Sequence, residues 1–188
     1  MDSVKNKVYT ITGLAGIGLS VAKQLHTAGA RLSLADINPQ TLETALGALQ
    51  NDTSNVLSTV VDITSSTSVN EWISKTVTHF GRLDGAANMA GAIGKKHGVG
   101  SLVEQEDDEW EMLMRVNLSG SMFCLRAQLR AIQAGGGKGS IVNAASIQGL
   151  RGFPFHAAYS ATKHGIVGLT RSVSKEVGPD IRVNAIAP

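Results

Sequence analysis

The sequence is poor in the features that mark several classes of protein. Its 188 residues include a single cysteine, Cys124, so no disulfide can form within the chain. No apolar run approaches the ~18 residues that a membrane span needs, and the opening MDSVKNK lacks the apolar core of a signal peptide. These absences predict a protein of the reducing cytoplasm with no membrane association.

Charge and metal ligands are sparse as well. Charged residues make up 17% of the sequence and the formal net charge is +2, too little for a nucleic-acid surface. The one basic cluster, residues 95–97, is interpreted as a solvated loop. None of the five histidines has metal-ligand spacing to a cysteine or a carboxylate cluster. The expected partner is therefore a small molecule, without nucleic acid or metal.

The sequence does contain a regular alternation of short apolar runs and amphipathic helical patterns. Strands are predicted at residues 7–12, 31–35, 56–61, 83–89, 140–145 and 181–186. Helices are predicted between them, the longest at residues 107–134 and 155–177. Successive βα units favour a parallel sheet with right-handed crossovers. With 43% hydrophobic residues, the chain suffices for one domain and one core.

A glycine turn follows the first strand. Gly13, Gly16 and Gly18 precede a helix on which Ile17, Val21 and Leu25 share one face. Glycines let the backbone approach a pyrophosphate, and the first turn of a helix offers it unpaired N–H groups. A tight βα turn without a ligand explains the same glycines equally well.

An acidic residue, Asp36, ends the second strand. It lies about 20 residues beyond the glycine turn, where a carboxylate can hydrogen-bond the ribose hydroxyls of an adenine nucleotide and repel a 2′-phosphate. No arginine follows it directly, so NAD is predicted over NADP. Asn38-Pro39 also has the pattern of a helix cap and first position. Farther on, the small residues Ala90 and Gly91 after Asn88 would let a flat cofactor lie against the fourth strand end.

A hydroxyl, a phenol and an ammonium group come together near the fifth strand. Ser146 follows the strand, and Tyr159 and Lys163 are four residues apart on one helix face. Lys163 would lower the tyrosine pKa from about 10. A pKa near 7 needs roughly 4 kcal/mol, so a second positive group, such as a nicotinamide ring, or a dry site must help. An ordinary amphipathic helix start is the alternative.

The helical pattern at 107–134 has a wider apolar face than one sheet contact requires. Part of that face is expected to bury against a second subunit. Asn117 lies in the middle of the pattern, where a polar amide needs partners. From composition alone, satisfaction within the core is the first interpretation and a role in a site the second.

Taken together along the whole chain, these residues resemble the short-chain dehydrogenase/reductase family of single-domain Rossmann-type enzymes. The residues that carry the resemblance are TGLAGIG at 12–18, Asp36, Asp62-Ile63, NMAG at 88–91, Asn117, Ser146 and YSATK at 159–163. The family implies an α/β fold with a doubly wound parallel sheet in the order 3-2-1-4-5-6 and helices on both faces. Two stretches, LADINPQTLETAL and LDGAANMAGAIGK, look like family members from fungal secondary metabolism.

The resemblance also implies a chemistry, hydride transfer between nicotinamide and an alcohol or carbonyl carbon. Tyr159 would be the general acid or base, Lys163 would lower its pKa and hold the nicotinamide ribose, Ser146 would bind the substrate oxygen, and Asn117 would fix a relay water. The implied cofactor-binding residues are Gly13, Gly16, Ile17, Gly18, Asp36, Asp62, Ile63, Asn88, Ala90, Gly91, Tyr159 and Lys163. The family often forms homodimers or homotetramers through helices matching residues 107–134 and 155–177.

Two departures from the family pattern keep a second hypothesis open. Only Leu14 and Ala15 separate Gly13 from Gly16, one residue fewer than usual, and the chain stops at Pro188, before the usual substrate-covering segment and last strand. The first hypothesis is an NAD(H)-dependent oxidoreductase that interconverts a secondary alcohol and a ketone. The second is a truncated, weakly active or inactive Rossmann-type protein that binds a nucleotide or a partner.

Overall fold

A six-stranded parallel sheet lies at the centre of the computed structural model, which describes residues 4–188. The strands are β1 (Val8–Thr12), β2 (Arg31–Asp36), β3 (Val56–Val60), β4 (Gly85–Asn88), β5 (Gly139–Ala144) and β6 (Ile181–Ile186). Their order is β3-β2-β1-β4-β5-β6, and every neighbouring pair is parallel. Both the fold class and the strand order predicted from the family resemblance are confirmed.

Helices cover both faces of this sheet. They are α1 (Ile17–Thr27), α2 (Pro39–Ala48), α3 (Ser66–Phe80), α4 (Asp107–Leu113), α5 (Ser121–Ala134) and α6 (Ala157–Val177). Side chains of α1 and α2 form one apolar cluster with the strands, and those of α3, α5 and α6 form another. Among the helices of residues 4–188, none is both long and apolar enough to cross a membrane.

Local capping explains where α2 and α3 begin. The Asn38 side chain accepts a hydrogen bond from the Gln40 amide at 2.9 Å, with Pro39 in the first turn, which confirms the predicted cap. Ser65 accepts from the Ser68 amide at 3.2 Å in the same way. Both caps directly follow strand ends, so the chain turns back at the carboxyl edge of the sheet.

The two longest predicted helices begin and run differently from the sequence pattern. Residues Met114–Gly120 form a π-helical turn between α4 and α5, and such turns occur often at functional sites. The helix predicted from 155 begins at Ala157, because Phe155 has a left-handed φ of 65° that a helix cannot accommodate. The π-helical turn contacts α6 through Asn117 and Thr162, and Phe155 precedes the first residue of α6 by two positions.

A buried amide network joins the carboxyl ends of β4 and β5 to two helices. The Asn88 amide nitrogen donates to the Gln128 and Asn143 side chains at 2.9 and 3.0 Å, and Gln128 donates back to Asn88 at 2.8 Å. The Asn143 amide donates to the Thr170 hydroxyl at 3.1 Å. These side chains are at most 5% exposed. Because each buried amide finds partners, the network fixes the register of the strand ends.

Candidate functional site

A cleft of about 490 Å³ opens at the carboxyl ends of β1, β2 and β4, where parallel sheets bind ligands. The predicted cofactor-binding residues that line it are Gly13, Gly16, Ile17, Asp36, Asp62, Ile63, Ala90 and Gly91. Gly18, Asn88, Tyr159 and Lys163, which were also predicted to bind the cofactor, do not line it. These residues lie at the ends of the first four strands, and the strand order brings those ends to one edge of the sheet.

The glycines of the turn have different roles. A Cβ on Gly13, which has a φ of +73°, would lie 2.6 Å from the backbone of Ala90, and one on Gly18 would collide with the Gly13 carbonyl oxygen. These two glycines let β1, β4 and α1 approach each other. A Cβ on Gly16 would have no neighbour within 4 Å. Gly16 therefore leaves open space at the first turn of α1, whose amides point toward the cleft.

Ile17 lies on the cleft side of α1 rather than in the core. Its side chain is 50% exposed, whereas Gly18 and Ala22 are the buried positions of the helix. Ile17 lines the cleft, which is consistent with its prediction as a cofactor-binding residue. Leu14, in the turn between Gly13 and Gly16, is the residue that packs into the core here, at 1% exposure.

Asp36 closes the far end of the cleft. One carboxylate oxygen accepts from the Leu14 amide at 2.8 Å and the other from the Asn38 amide at 3.0 Å. Each oxygen keeps a lone pair for a ligand. Asp36 thus fixes the glycine turn, starts the turn before α2 and faces the cleft, and its contact with ribose hydroxyls stays a prediction.

The residues after β3 and β4 divide into lining and supporting groups. Asp62 accepts from the amide and the hydroxyl of Thr64, both at 2.8 Å, and is exposed at the cleft. Asn88 is 3% exposed, and its amide belongs to the buried network, so the prediction that it lines the cofactor cleft is wrong for its side chain. The Thr12 hydroxyl, missed from the sequence, accepts from the Met89 and Ala90 amides and holds that strand end to β1.

Tyr159, Lys163 and Ser146 come together between β5 and α6. The Lys163 ammonium lies 5.4 Å from the centre of the Tyr159 ring and donates to the Ala144 carbonyl at 2.8 Å. Ser146 accepts from the Gln148 amide at 3.3 Å and donates to the Pro188 carbonyl at 3.3 Å. The helix spacing and the strand end therefore assemble the three groups as predicted.

The electrostatics of this group differ from the sequence expectation. Burial raises the pKa of Tyr159 above its ordinary value, and the hydrogen bond with Ser146 lowers it only in part. Burial also lowers the pKa of Lys163 to about 8. A dry site was expected to help ionise the phenol, but desolvation disfavours the phenolate, so that expectation is wrong. The phenol is neutral at pH 7 until further positive charge reaches it.

Asn117 lies in the π-helical turn and is fully buried. Its side chain accepts from the Ala92 amide at 2.7 Å and donates to the Ala92 carbonyl at 2.9 Å. It also donates to the Thr162 hydroxyl at 3.3 Å. The amide therefore holds the segment after β4 against α6. Gly91 is small enough to fit there, since a Cβ would lie 3.2 Å from the Asn117 oxygen.

The segment 91–100 is a surface loop, as its basic cluster suggested, but hydrogen bonds and one aromatic contact tie it to the rest of the fold. Lys95 is exposed, but its amide donates to the Glu109 carboxylate, and the Gly98 amide donates to the Phe155 carbonyl at 3.0 Å. His97 packs edge-on against Tyr159, with ring centres 5.0 Å apart. The sequence held no signal for this contact, because it depends on the backbone turn at Phe155. Within residues 4–188 no metal-ligating cluster of three side chains occurs.

Comparisons with known proteins agree with this geometry. The family model described as short chain dehydrogenase matches residues 7–188. The chain is 50% identical over 185 residues to the short-chain dehydrogenase/reductase ABA4 of Pyricularia oryzae, a match that covers 97% of this chain and 68% of that protein. It is 38% identical over 187 residues to levodione reductase of Leifsonia aquatica, with 97% and 68% covered.

Solved structures show the same fold. The crystal structure of levodione reductase superimposes with a TM-score of 0.92 at 36% identity and covers 98% of this chain and 71% of that one. The crystal structure of NAD⁺-bound xylitol dehydrogenase gives a TM-score of 0.92 at 32% identity, with 99% and 71% covered.

Proposed function

The chain belongs to the short-chain dehydrogenase family, and from that premise we propose that it interconverts a secondary alcohol and a ketone with NAD(H). Family membership makes it an oxidoreductase-type protein that uses a nicotinamide cofactor and a small-molecule substrate. The observation that carries the finer proposal is the placement of Tyr159 beside Ser146 and Lys163, next to a cleft that ends at Asp36.

The cleft residues fit a dinucleotide. Gly16 leaves open space at the first turn of α1 for a pyrophosphate. Gly13 has no side chain, so its backbone can lie close to the Ala90 backbone at the bottom of the cleft. Asp36 would accept from ribose hydroxyls at one end, and Lys163 would donate to a ribose at the other. When bound, the nicotinamide ring supplies or accepts the hydride.

The chain's own residues would handle the proton. In the reducing direction Tyr159 would donate its phenolic proton to the carbonyl oxygen, while the Ser146 hydroxyl hydrogen-bonds that oxygen. In the oxidising direction the proton would return to Tyr159. Lys163 would stabilise the phenolate formed, and Asn117, which holds Ala92 beside it, would keep the relay side of the site in place.

We expect NADH to bind more tightly than NADPH, because the Asp36 carboxylate would repel a 2′-phosphate. In fluorescence titrations, Asp36→Asn should narrow the ratio of the two dissociation constants by about tenfold. Asp62→Asn is the matched control, since it removes the same charge from the same cleft at another position and should leave the ratio unchanged. A wild-type chain that binds both nucleotides equally would contradict the NAD assignment.

A second function, nucleotide binding without redox turnover, is favoured by the same site. The Leu14 amide of the short glycine turn already occupies one oxygen of Asp36, and burial disfavours the Tyr159 phenolate that alcohol oxidation would need as a base. In that case NADH would bind stoichiometrically, and no alcohol or ketone would be turned over. The titration above therefore needs a parallel turnover assay on the same preparation.

We also propose that the chain is a homodimer or homotetramer assembled through residues 107–134 and 155–177. Several apolar side chains of the first segment stay partly accessible in the single chain, namely Trp110, Met114, Leu118, Met122 and Leu129. A charged side chain there should weaken assembly. Sedimentation should show a dimer or tetramer for the wild type and a smaller species for Met122→Glu, and a monomeric wild type would contradict the proposal.

A further inference from the structure

A second, smaller cavity has Tyr159 in its wall and shares no lining residue with the dinucleotide cleft. Its walls are residues 94–105, Glu109, Leu113 and the segment 155–159. The cavity volume is about 20 Å³, enough for one group the size of a water molecule. The cavity therefore has room for a single oxygen-containing group beside the phenol.

Most polar side chains around this cavity already have partners in the protein. Lys96 donates to Glu106 at 3.0 Å and to the Glu104 carbonyl at 3.1 Å, and Ser101 donates to Glu104 at 2.7 Å. Gln105 donates to the Glu106 carbonyl and to the Glu109 carboxylate.

The His156 ring is engaged too, with its Nδ1 paired to the Pro154 carbonyl at 2.6 Å. These groups already have hydrogen-bond partners within the protein, so none of them is a free partner for a ligand in the cavity.

His97 is the exception. Its ring lies edge-on to both Tyr159 and His156, with centres 5.0 and 4.2 Å away, but within residues 4–188 no hydrogen bond reaches its imidazole nitrogens. Neither ring nitrogen is among the buried polar atoms without a partner, so both keep some solvent exposure. A ligand can therefore reach them. The His97 imidazole is accessible, has no hydrogen-bond partner within residues 4–188 and lies next to Tyr159. It is therefore a candidate ligand-binding group.

We propose that His97 is a specificity-determining residue whose imidazole hydrogen-bonds a second oxygen of the substrate while Tyr159 and Ser146 hold the reacting oxygen. This inference rests on the proposed function and names its substrate class, an apolar ketone or alcohol with a further hydroxyl or carbonyl group a few bonds from the reacting carbon. The close packing of the two rings sets that short separation.

The surroundings fit a neutral oxygen on an apolar frame. Burial and the neighbouring His156 both lower the pKa of His97, so its imidazole is neutral at pH 7 and offers one donor and one acceptor. Leu102, Phe153 and Phe155 are each at least 41% exposed around this side of the site. A carboxylate could not form an ion pair with the neutral ring. A hydroxyl or carbonyl group needs only a hydrogen bond, which the neutral ring can supply.

The test uses cyclohexanone and its 2-, 3- and 4-hydroxy derivatives with NADH as reductant. We expect at least one hydroxy ketone to exceed cyclohexanone in kcat/KM by roughly tenfold in the wild type, the size of one buried hydrogen bond. His97→Phe keeps the ring packing but no polar atom, so it should abolish that preference and leave cyclohexanone turnover within about twofold. His97→Gln should restore part of the preference, and His79→Gln, remote on α3, should leave it intact. A preference that survives in His97→Phe would overturn the inference.

A failure of the inference is distinguishable from a failure of the proposed function. Turnover of cyclohexanone without any hydroxyl preference would leave the oxidoreductase assignment standing and reject the role of His97. If no ketone is turned over, the oxidoreductase proposal fails on these probes. The role of His97 is then tested by measuring ligand binding instead of turnover. In the NADH-loaded chain its imidazole ¹⁵N resonances should shift with a hydroxy ketone and not with cyclohexanone. Unchanged resonances with all four compounds would reject the inference.

Discussion

Replacing Tyr159 with phenylalanine is expected to lower kcat about 10³-fold, within the range that a positioned acid or base contributes. The variant loses only the phenolic hydroxyl, the group proposed to exchange the proton. Its ring can keep the edge-on packing against His97, so the fold and the dinucleotide cleft should be preserved. NADH affinity is therefore expected to stay within about twofold in a fluorescence titration.

The chain carries its own control for this experiment. Tyr9 is the second of its two tyrosines and lies in β1, away from the site. Tyr9→Phe makes the same chemical change in another partly buried phenol and should leave kcat unchanged. If Tyr159→Phe retained more than a tenth of the wild-type kcat, another group would have to move the proton, and the assignment to Tyr159 would be wrong.

Replacing Lys163 with methionine is expected to stabilise the fold at pH 7 and to reduce turnover. Burial lowers the pKa of Lys163 from its ordinary 10.5 to about 8, so the charged form costs the folded state about 3 kcal/mol. The variant also loses the hydrogen bond from Lys163 to the Ala144 carbonyl, which destabilises its folded state by roughly 1 kcal/mol. The net gain in the free energy of unfolding should be about 2 kcal/mol, while kcat falls about 10²-fold because the phenolate loses its positive neighbour.

The sign of the pH dependence separates this effect from ordinary repacking. The unfolded chain keeps the Lys163 proton up to about pH 10.5, whereas the folded chain releases it near pH 8. The unfolded state therefore binds more protons in that window, and the wild type should gain stability as the pH rises from 8 toward 10.5. Lys163→Met should lack that rise. Lys175→Met, on the exposed last turn of the same helix, should keep it, and equal slopes in all three proteins would contradict the burial argument.

Much of the fold was legible in the sequence because it depends on local pattern. Alternating apolar runs and helical faces predicted all six strands within a few residues, and Asn38-Pro39 predicted the start of α2. The four-residue spacing of Tyr159 and Lys163 placed both on one helix face. Such features need only neighbours along the chain, so periodicity and capping rules suffice.

The features that were missed depend on contacts across the fold. The inward turn of Asn88 follows from Gln128, 40 residues away, and the packing of His97 follows from a left-handed Phe155. The π-helical turn at Asn117 requires the Ala92 backbone as a partner. The direction of the Tyr159 pKa is set by burial, which no spacing reveals. In each case a long-range partner overrides the local pattern.

The amide network beneath β4 and β5 also bears on how such a protein can change over generations. Because Asn88, Gln128, Asn143 and Thr170 anchor the strand ends from within the core, the segments beyond those ends are not needed to hold them in register. Substitutions at the exposed positions Val99, Val103, Leu150 and Gly152 can therefore accumulate without disturbing Tyr159, Lys163 or Ser146. New substrate specificities can therefore arise from substitutions in these two surface segments, while the amide network keeps the strand ends in place.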